Sequence, residues 1–410
     1  MLAILDHAGP ELVFTLILLA LLGLRARVTP RTNLWINVPP DKLWNILRVY
    51  DGKFEDWGGF TIKTELVDET SRTYRKIFSV IGNNGASRHS QALFRISQEV
   101  PERSLELTRA DLEGKSENNE LLKLSYDLQP EKGGTRLKTT YVWGPRSMIA
   151  QLLARTDLWG GAIRTKTLAE TGKPSGTAYV VLSLVVGLLT GLISVAAFSL
   201  MFDPAFALLL VFALFIHEFG HLLAYRLIGQ PWGRIIFLPF LGAIAMPRLP
   251  LESQAQSVFA ALMGPGFSTL LTMACAVPFI LGDDKRPVLA LLGLVTAGLN
   301  IFNMLPAEPL DGGIALRSVL SKIFGSYANF GLMAVGAVIC GLGLLLSQII
   351  LVIFGGLAIL ANLKARKIDD GLIPLSSLGL SITTFGYMAI AASHISFLRF
   401  FGEAILALRS

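Results

Sequence analysis

Charge is scarce along this sequence: Asp, Glu, Lys and Arg make up 16% of its 410 residues, against 52% for hydrophobic residues. An ordinary soluble domain carries about 25% charge, so a wholly soluble chain is excluded, and the length exceeds that of one domain. Cysteine is almost absent. The two present, Cys275 and Cys340, fall in apolar runs, where a thiol packs as a small hydrophobe; a disulfide framework and a cysteine-rich zinc site are both ruled out. Histidine is nearly as rare, with five in all. The first apolar run, Glu11 to Leu24, has neither a basic segment before it nor a small-residue cleavage site after it, and is expected to be a retained helix rather than a signal peptide. A net charge of +6 raises nucleic acid as a partner, but residues 25 to 176 hold 24 of the 36 basic and 18 of the 30 acidic side chains. The remaining positives flank apolar runs, as membrane topology demands. No nucleic-acid partner is expected.

What is present divides into two kinds of chain. After the first apolar run, assigned to residues 1–24, about 150 residues have soluble character. Asn33 to Val38 alternates like a strand, and Pro39-Pro40-Asp41 then starts a helix with Leu43, Trp44 and Leu47 on one face. Strand-like runs follow at Phe60 to Val67, Thr73 to Val80, Gln91 to Ile96, Ser104 to Thr108, Leu121 to Leu128 and Thr135 to Val142, with turns at Asn83-Asn84-Gly85 and Lys132-Gly133-Gly134. A last helix is expected from Ser147 to Leu168. One long helix after an antiparallel sheet is an α+β arrangement in which the sheet curls around the helix.

From Thr177 onward the sequence is built of apolar stretches of about 20 residues, the length of a membrane crossing. They lie near 177–201, 204–227, 254–281, 287–306, 327–346, 348–363 and 373–393. With the N-terminal run, the expected fold class is a polytopic α-helical membrane protein of about eight spans carrying an inserted α+β domain. Arg234 to Arg248 contains an apolar run too short and too broken by Pro239 and Gly242 to cross. It is expected to form a re-entrant strand or hairpin, tolerated at depth only against protein or a cavity. Arg25, Arg27 and Arg31, then Arg164, Lys166 and Lys173, then Lys364, Arg366 and Lys367 fall on one side if spans alternate. The positive-inside rule makes that side cytoplasmic; Lys285 and Arg286 are the exception, offset by Asp283 and Asp284.

The chemistry-bearing feature is His217-Glu218-Phe219-Gly220-His221, near the end of the apolar stretch from Pro204 to Gly229. Each ionisable side chain at such depth costs roughly 3 kcal/mol or more, so such groups usually mark function. On a helix His217 and His221 lie one turn apart and point the same way, as two nitrogen ligands of one Zn²⁺ do. Glu218 is then placed to take a proton from a water that the metal activates. A satisfied buried His pair with an incidental Glu is the bland alternative. Catalytic zinc takes three protein ligands and leaves one position open. Asp311 is the leading third ligand; it equally suits the N-cap of a helix over Ile314 to Ile323, a role worth about 1 kcal/mol. Glu308 is its rival.

These residues resemble the site-2 protease family of intramembrane zinc metalloproteases. The resemblance rests on His-Glu-x-x-His in an apolar helix and, about 90 residues later, Asn303-Met-Leu-Pro306-Ala-Glu-Pro309-Leu310-Asp311-Gly312-Gly313. It covers residues 177–325, leaving 326–410 as additional transmembrane helices with an amphipathic C-terminal tail. It implies that His217, His221 and Asp311 bind Zn²⁺, that Glu218 is the general base, and that Asn303 or Asn300 serves the substrate or the developing oxyanion. The family's Gly-Pro-x-x-Asn element is matched by Gly264-Pro265-Gly266-Phe267-Ser268, with Ser268 in place of Asn. Residues 31–170, with the Val38-Pro39-Pro40-Asp41-Lys42-Leu43-Trp44 opening and the Gly133-Gly134-Thr135-Arg136-Leu137 strand, resemble the START-like (SRPBCC, helix-grip) superfamily. That implies either a lipid or other hydrophobic ligand between sheet and helix, or a filled core acting as an interaction module.

The expected function is therefore an intramembrane zinc metalloendopeptidase of the cell membrane acting on membrane protein substrates, with a cytoplasmic helix-grip domain. The competing reading is a catalytically silent metal-binding receptor that senses a lipid or partner, and the presence of Glu218 argues against it. A transporter is a third, but paired inverted repeats are not visible in the sequence.

Overall fold

The computed structural model describes residues 25–56, 61–81, 87–112, 120–173, 176–230, 232–247, 251–282, 286–307, 310–363 and 372–409. The first expected span, the turn at Asn83-Asn84-Gly85 and the rival ligand Glu308 lie outside them. Two compact units divide the chain, Met1–Val186 and Gly187–Ser410.

The first unit is a curved antiparallel sheet with two helices. Strands β1 (Arg25–Val28), β2 (Arg31–Ile36), β3 (Phe54–Asp56), β4 (Thr61–Asp68), β5 (Thr73–Ile81), β6 (Ser87–Val100), β7 (Ser104–Arg109), β8 (Leu121–Glu131) and β9 (Gly134–Ser147) run in the order β1-β9-β8-β7-β6-β5-β4-β3, with β2 also on β9. Between β2 and β3 comes α1 (Pro40–Leu47), and after β9 the long α2 (Met148–Thr171). Proline at the first helical position and Asp41 in the first turn start α1 as expected, and Leu43, Trp44 and Leu47 are its buried face. Sequence alternation locates β2 and β4–β9 to within a few residues. It misses β1 and β3, which are too short to show a period. Registers Leu105↔Tyr126, Leu107↔Leu124 and Leu128↔Leu137 place one apolar face of neighbouring strands together. With Ile36, Leu43 and Phe94 they form the core of this unit. The helix α2 meets the sheet through Ala154, Leu158, Ala162 and Ala169, all buried, and its Glu170 accepts the Asn37 backbone N–H at 2.8 Å while Lys166 donates to the Trp35 carbonyl at 2.8 Å.

The second unit is helical. It holds the C-terminal part of α3 (Gly176–Phe198), then α4 (Pro204–Leu227), the hairpin β10 (Arg234–Leu238) and β11 (Gly242–Met246), α5 (Gln254–Ile280), α6 (Pro287–Asn303), α7 (Asp311–Phe324), α8 (Ala328–Leu345), α9 (Ile349–Leu363) and α10 (Ser377–Arg409). Asp203 caps α4 by accepting from the Ala205 N–H at 2.8 Å, with Pro204 at the first helical position. Ser253 caps α5 by accepting from Gln256 N–H at 3.2 Å.

Among the described residues four helical segments are long and apolar enough to cross a membrane: Pro204–Leu227, Gln254–Ile280, Asp311–Leu345 and Ser377–Leu408. Ser183–Phe198, Pro287–Asn303 and Leu351–Leu360 are apolar but shorter. Among the described residues, seven apolar helices thus stand where seven stretches were expected after Thr177, four of them long enough for a full crossing. Two limits shift. The expected fifth stretch from Thr177 begins within the longer helical run Asp311–Leu345, and the residues after the expected seventh stretch continue the same helix, Ser377–Arg409.

In the sheet unit, burial pulls the Lys76 ammonium down to about 8, with Glu55 opposing the shift and Lys53 adding to it. An amine whose folded pKa lies below its unfolded value of 10.5 leaves the unfolded chain holding the extra proton between those values, so stability rises with pH there. Chemical denaturation of this unit at pH 8 and pH 10 is expected to show a higher midpoint at pH 10 in the wild type, and no such gain in Lys76→Met.

Candidate metal centre

Helix α4 delivers both imidazoles to one face, where they are buried together with Glu218. His217 Nδ1 lies 2.8 Å from Asn300 Oδ1, and His221 Nδ1 lies 2.7 Å from the Ala260 carbonyl oxygen. Both partners are acceptors, so each neutral ring carries its proton on Nδ1 and turns an Nε2 lone pair inward. Those two Nε2 atoms are 3.1 Å apart. Asp311 Oδ2 completes a triangle, 3.1 Å from His217 Nε2 and 3.4 Å from His221 Nε2.

Three electron-pair donors so close repel one another unless a metal cation or a shared proton lies between them. A tetrahedral zinc with ligand bonds near 2.0–2.1 Å sets its ligand atoms about 3.3 Å apart, which the triangle's edges match. Asp311 Oδ2 is buried and makes no hydrogen bond among the described residues, as expected of an atom reserved for a metal. The chemistry of the donor set, two imidazoles and a carboxylate, suits zinc. Glu218 has a carboxylate oxygen within 4.8 Å of both histidine donors, beside the triangle that Asp311 Oδ2 forms with them.

Asp311 resolves its two sequence roles by position. It is the first residue of α7, Leu310 is the N-cap, and no side-chain cap hydrogen bond forms. Its carboxylate goes to the imidazoles while still sitting at the positive end of the helix dipole. Asn300, fully buried on α6, holds His217 through its oxygen and donates to the Thr296 carbonyl at 2.7 Å. An orienting partner of a metal-bound histidine makes this kind of contact. Asn303 is half-buried and donates one amide hydrogen to the Leu299 carbonyl at 3.2 Å, which leaves its second N–H for another acceptor.

Glycine brings the walls together. A Cβ at Gly264 would collide with the His221 ring, and one at Gly312 with the Met304 carbonyl, so α5 lies directly over the imidazoles and α7 tight on the end of α6. Sequence reasoning noted Gly264-Pro265 only as a family element; the signal that reveals its purpose is backbone proximity, which no pattern in the chain displays. Ser268, in place of the family's Asn, is fully buried, with no hydrogen-bond partner for its hydroxyl among the described residues.

No protein-family model matches the chain. A zinc metalloprotease of Methanocaldococcus jannaschii is 30% identical over 175 residues, 40% of this chain and 50% of its own. A relative from Synechocystis sp., provisionally named a zinc metalloprotease, is 30% identical over 140 residues, 33% of this chain and 36% of its own. The chain is similar to zinc metalloproteases. It spans half the length of the first of these curated relatives and about a third of the second. Among solved structures, the site-2 protease from Methanocaldococcus jannaschii aligns over 45% of this chain and 92% of its own, at 24% identity and a TM-score of 0.30. A Chromobacterium violaceum protein aligns over 36% of this chain and 97% of its own, at 15% identity and a TM-score of 0.26.

Because the Gly264 backbone touches the rings that carry the donor atoms, Gly264→Val is expected to weaken zinc binding by at least about tenfold, the scale of a disturbed ligand support. Competition against a chromogenic chelator measures it, with Gly266→Val as the neighbouring control.

Proposed function

We propose that this chain is a zinc metalloendopeptidase that hydrolyses peptide bonds of transmembrane or membrane-associated substrates. The observation that carries the reading is the buried triangle of His217 Nε2, His221 Nε2 and Asp311 Oδ2 with Glu218 beside it, inside helices of membrane-crossing length. The similarity to zinc metalloproteases supports the same reading.

His217, His221 and Asp311 hold the zinc, whose Lewis acidity promotes attack by water on the peptide carbonyl. Glu218 accepts the proton of the attacking water and returns it to the leaving nitrogen. Burial of all four side chains keeps bulk water from competing and strengthens each electrostatic contact.

Peptide bonds within a helix are shielded by their own hydrogen bonds, so a substrate must be extended to react. The hairpin offers a template. The outer edge of β10 is taken up by α3, with the Phe237 N–H on Thr190 Oγ1 at 3.2 Å and the Ile235 carbonyl facing Gly187. Among the described residues β11 pairs with β10 alone in this two-stranded sheet, so the edge left for an added substrate strand is that of β11.

The helix-grip unit at residues 31–170 is read as a cytoplasmic module that selects or gates substrates, or takes up a lipid or other hydrophobic ligand against the half-buried Tyr74, Phe78, Tyr126 and Tyr141 that border its core. Its core carries no metal-ligand cluster among the described residues.

Two measurements test this. Glu218→Gln is expected to retain one zinc per chain and to lose at least about a hundredfold in cleavage rate, the usual worth of a general base; activity within several-fold of wild type removes Glu218 from that role. A single cysteine at exposed Lys132 is expected to resist a membrane-impermeant thiol reagent in intact cells and to react after permeabilisation; labelling without permeabilisation reverses the topology.

A further inference from the structure

The last helix, α10, lies outside the region whose motifs identify the metal centre, yet it reaches two walls of that centre. Tyr387 Oη donates to the Met304 carbonyl at 2.6 Å, and Met304 is also the residue on which Gly312 packs, next to Asp311. Seven residues on, His394 Nε2 donates to the Pro265 carbonyl at 2.9 Å and lies 3.3 Å from Thr269 Oγ1. Pro265 follows Gly264, whose Cα faces the imidazoles of His217 and His221. Seven further on, Phe401 is fully buried with its ring against Gly293 of α6, so close that a Cβ there would collide with it. Spacing of seven puts Tyr387, His394 and Phe401 on one face of α10.

A ring as polar as imidazole, fully buried in an apolar helix, is costly unless it does something specific. Its packing alone is achievable with an apolar side chain. What His394 adds is a directed hydrogen bond to the segment of α5 that covers the ligands. Tyr387 does the same for the loop that ends in Asp311.

Resting on the metal-centre reading above, we infer that α10 is a clamp for that centre, in which Tyr387 and His394 are positioning residues: Tyr387 fixes the Met304 end of the Asp311 loop and His394 fixes α5 over the two histidines, while Phe401 anchors the helix to α6. Supports of this kind typically change metal affinity or activity by about 10–100-fold when removed.

The test uses the full-length protein with Tyr387→Phe, His394→Leu, His394→Gln and the double variant Tyr387→Phe/His394→Leu. Zinc affinity by chelator competition, thermal stability without zinc, and kcat and KM on one peptide substrate are measured for each. Tyr387→Phe and His394→Leu are each expected to weaken zinc binding by about tenfold or more and to lower kcat while KM stays near the wild-type value. His394→Gln, which can present an amide donor near the position of Nε2, should recover most of the loss. Folded single variants with wild-type zinc affinity and kcat overturn the clamp, as does a loss that Gln does not relieve, since that marks a purely structural histidine. Tyr387→Phe removes a single oxygen, so it decides the question even where His394→Leu does not fold. A wild-type chain that takes up no zinc overturns the metal centre itself, an outcome distinct from a zinc-binding wild type whose variants are unchanged.

Discussion

Three donor atoms within 3.4 Å of one another, buried among apolar helices, are the constraint around which the helical unit is organised. Left alone, the arrangement is unstable: two imidazole lone pairs and a carboxylate oxygen converge where solvent cannot screen them. Every feature nearby either fixes these atoms or makes room for them. Asn300 and the Ala260 carbonyl hold the Nδ1 sides of the rings, Gly264 allows α5 to lie across them, and the start of α7 aims Asp311 inward with its capping role given up. The cation position is thus a product of four helices, and no one of them defines it.

The candidate ligand pair was legible in the sequence because its information is local. Residues 217 and 221 are one helical turn apart whatever surrounds them, and ionisable groups inside an apolar run stand out against their neighbours. Asp311 was legible only as one of two carboxylates near a helix start, and the choice between metal ligand and cap rests on a side-chain direction that spacing does not contain. Asn300 shows the limit more sharply. The family resemblance singles it out only for the substrate or the oxyanion; its contact with His217 crosses 83 positions, and a pattern along one chain segment carries no information about such a distance. The same holds for Tyr387 and His394, whose partners lie 83 and 129 residues away.

The sheet unit was legible for a different reason. Its strands alternate apolar and polar residues with a period of two, and its turns carry Gly at positions such as Gly133, where φ is +78°. What alternation cannot supply is pairing. The order β1-β9-β8, in which the first strand of the unit meets the last, depends on the packing of Ile36, Leu128 and Leu137 into one core with α1. The span count was the weakest reading, since hydropathy alone does not separate a full crossing from a 17-residue helix such as α6.

That shortness ties the fold to its chemistry. A helix that crossed fully would carry its apolar surface past the metal centre and leave no irregular backbone there. By ending α6 at Asn303 and restarting with α7 at Asp311, the chain places a helix end beside the ligands, where carbonyl groups such as those of Met304 and Pro306 have lost their helical partners. Tyr387 takes the first at 2.6 Å and Asn362 of α9 takes the second at 3.0 Å. Buried backbone of this kind persists only where other groups satisfy it. The break that admits Asp311 to the site therefore requires donors from α9 and α10, and this makes the C-terminal helices part of the same construction as the histidines of α4.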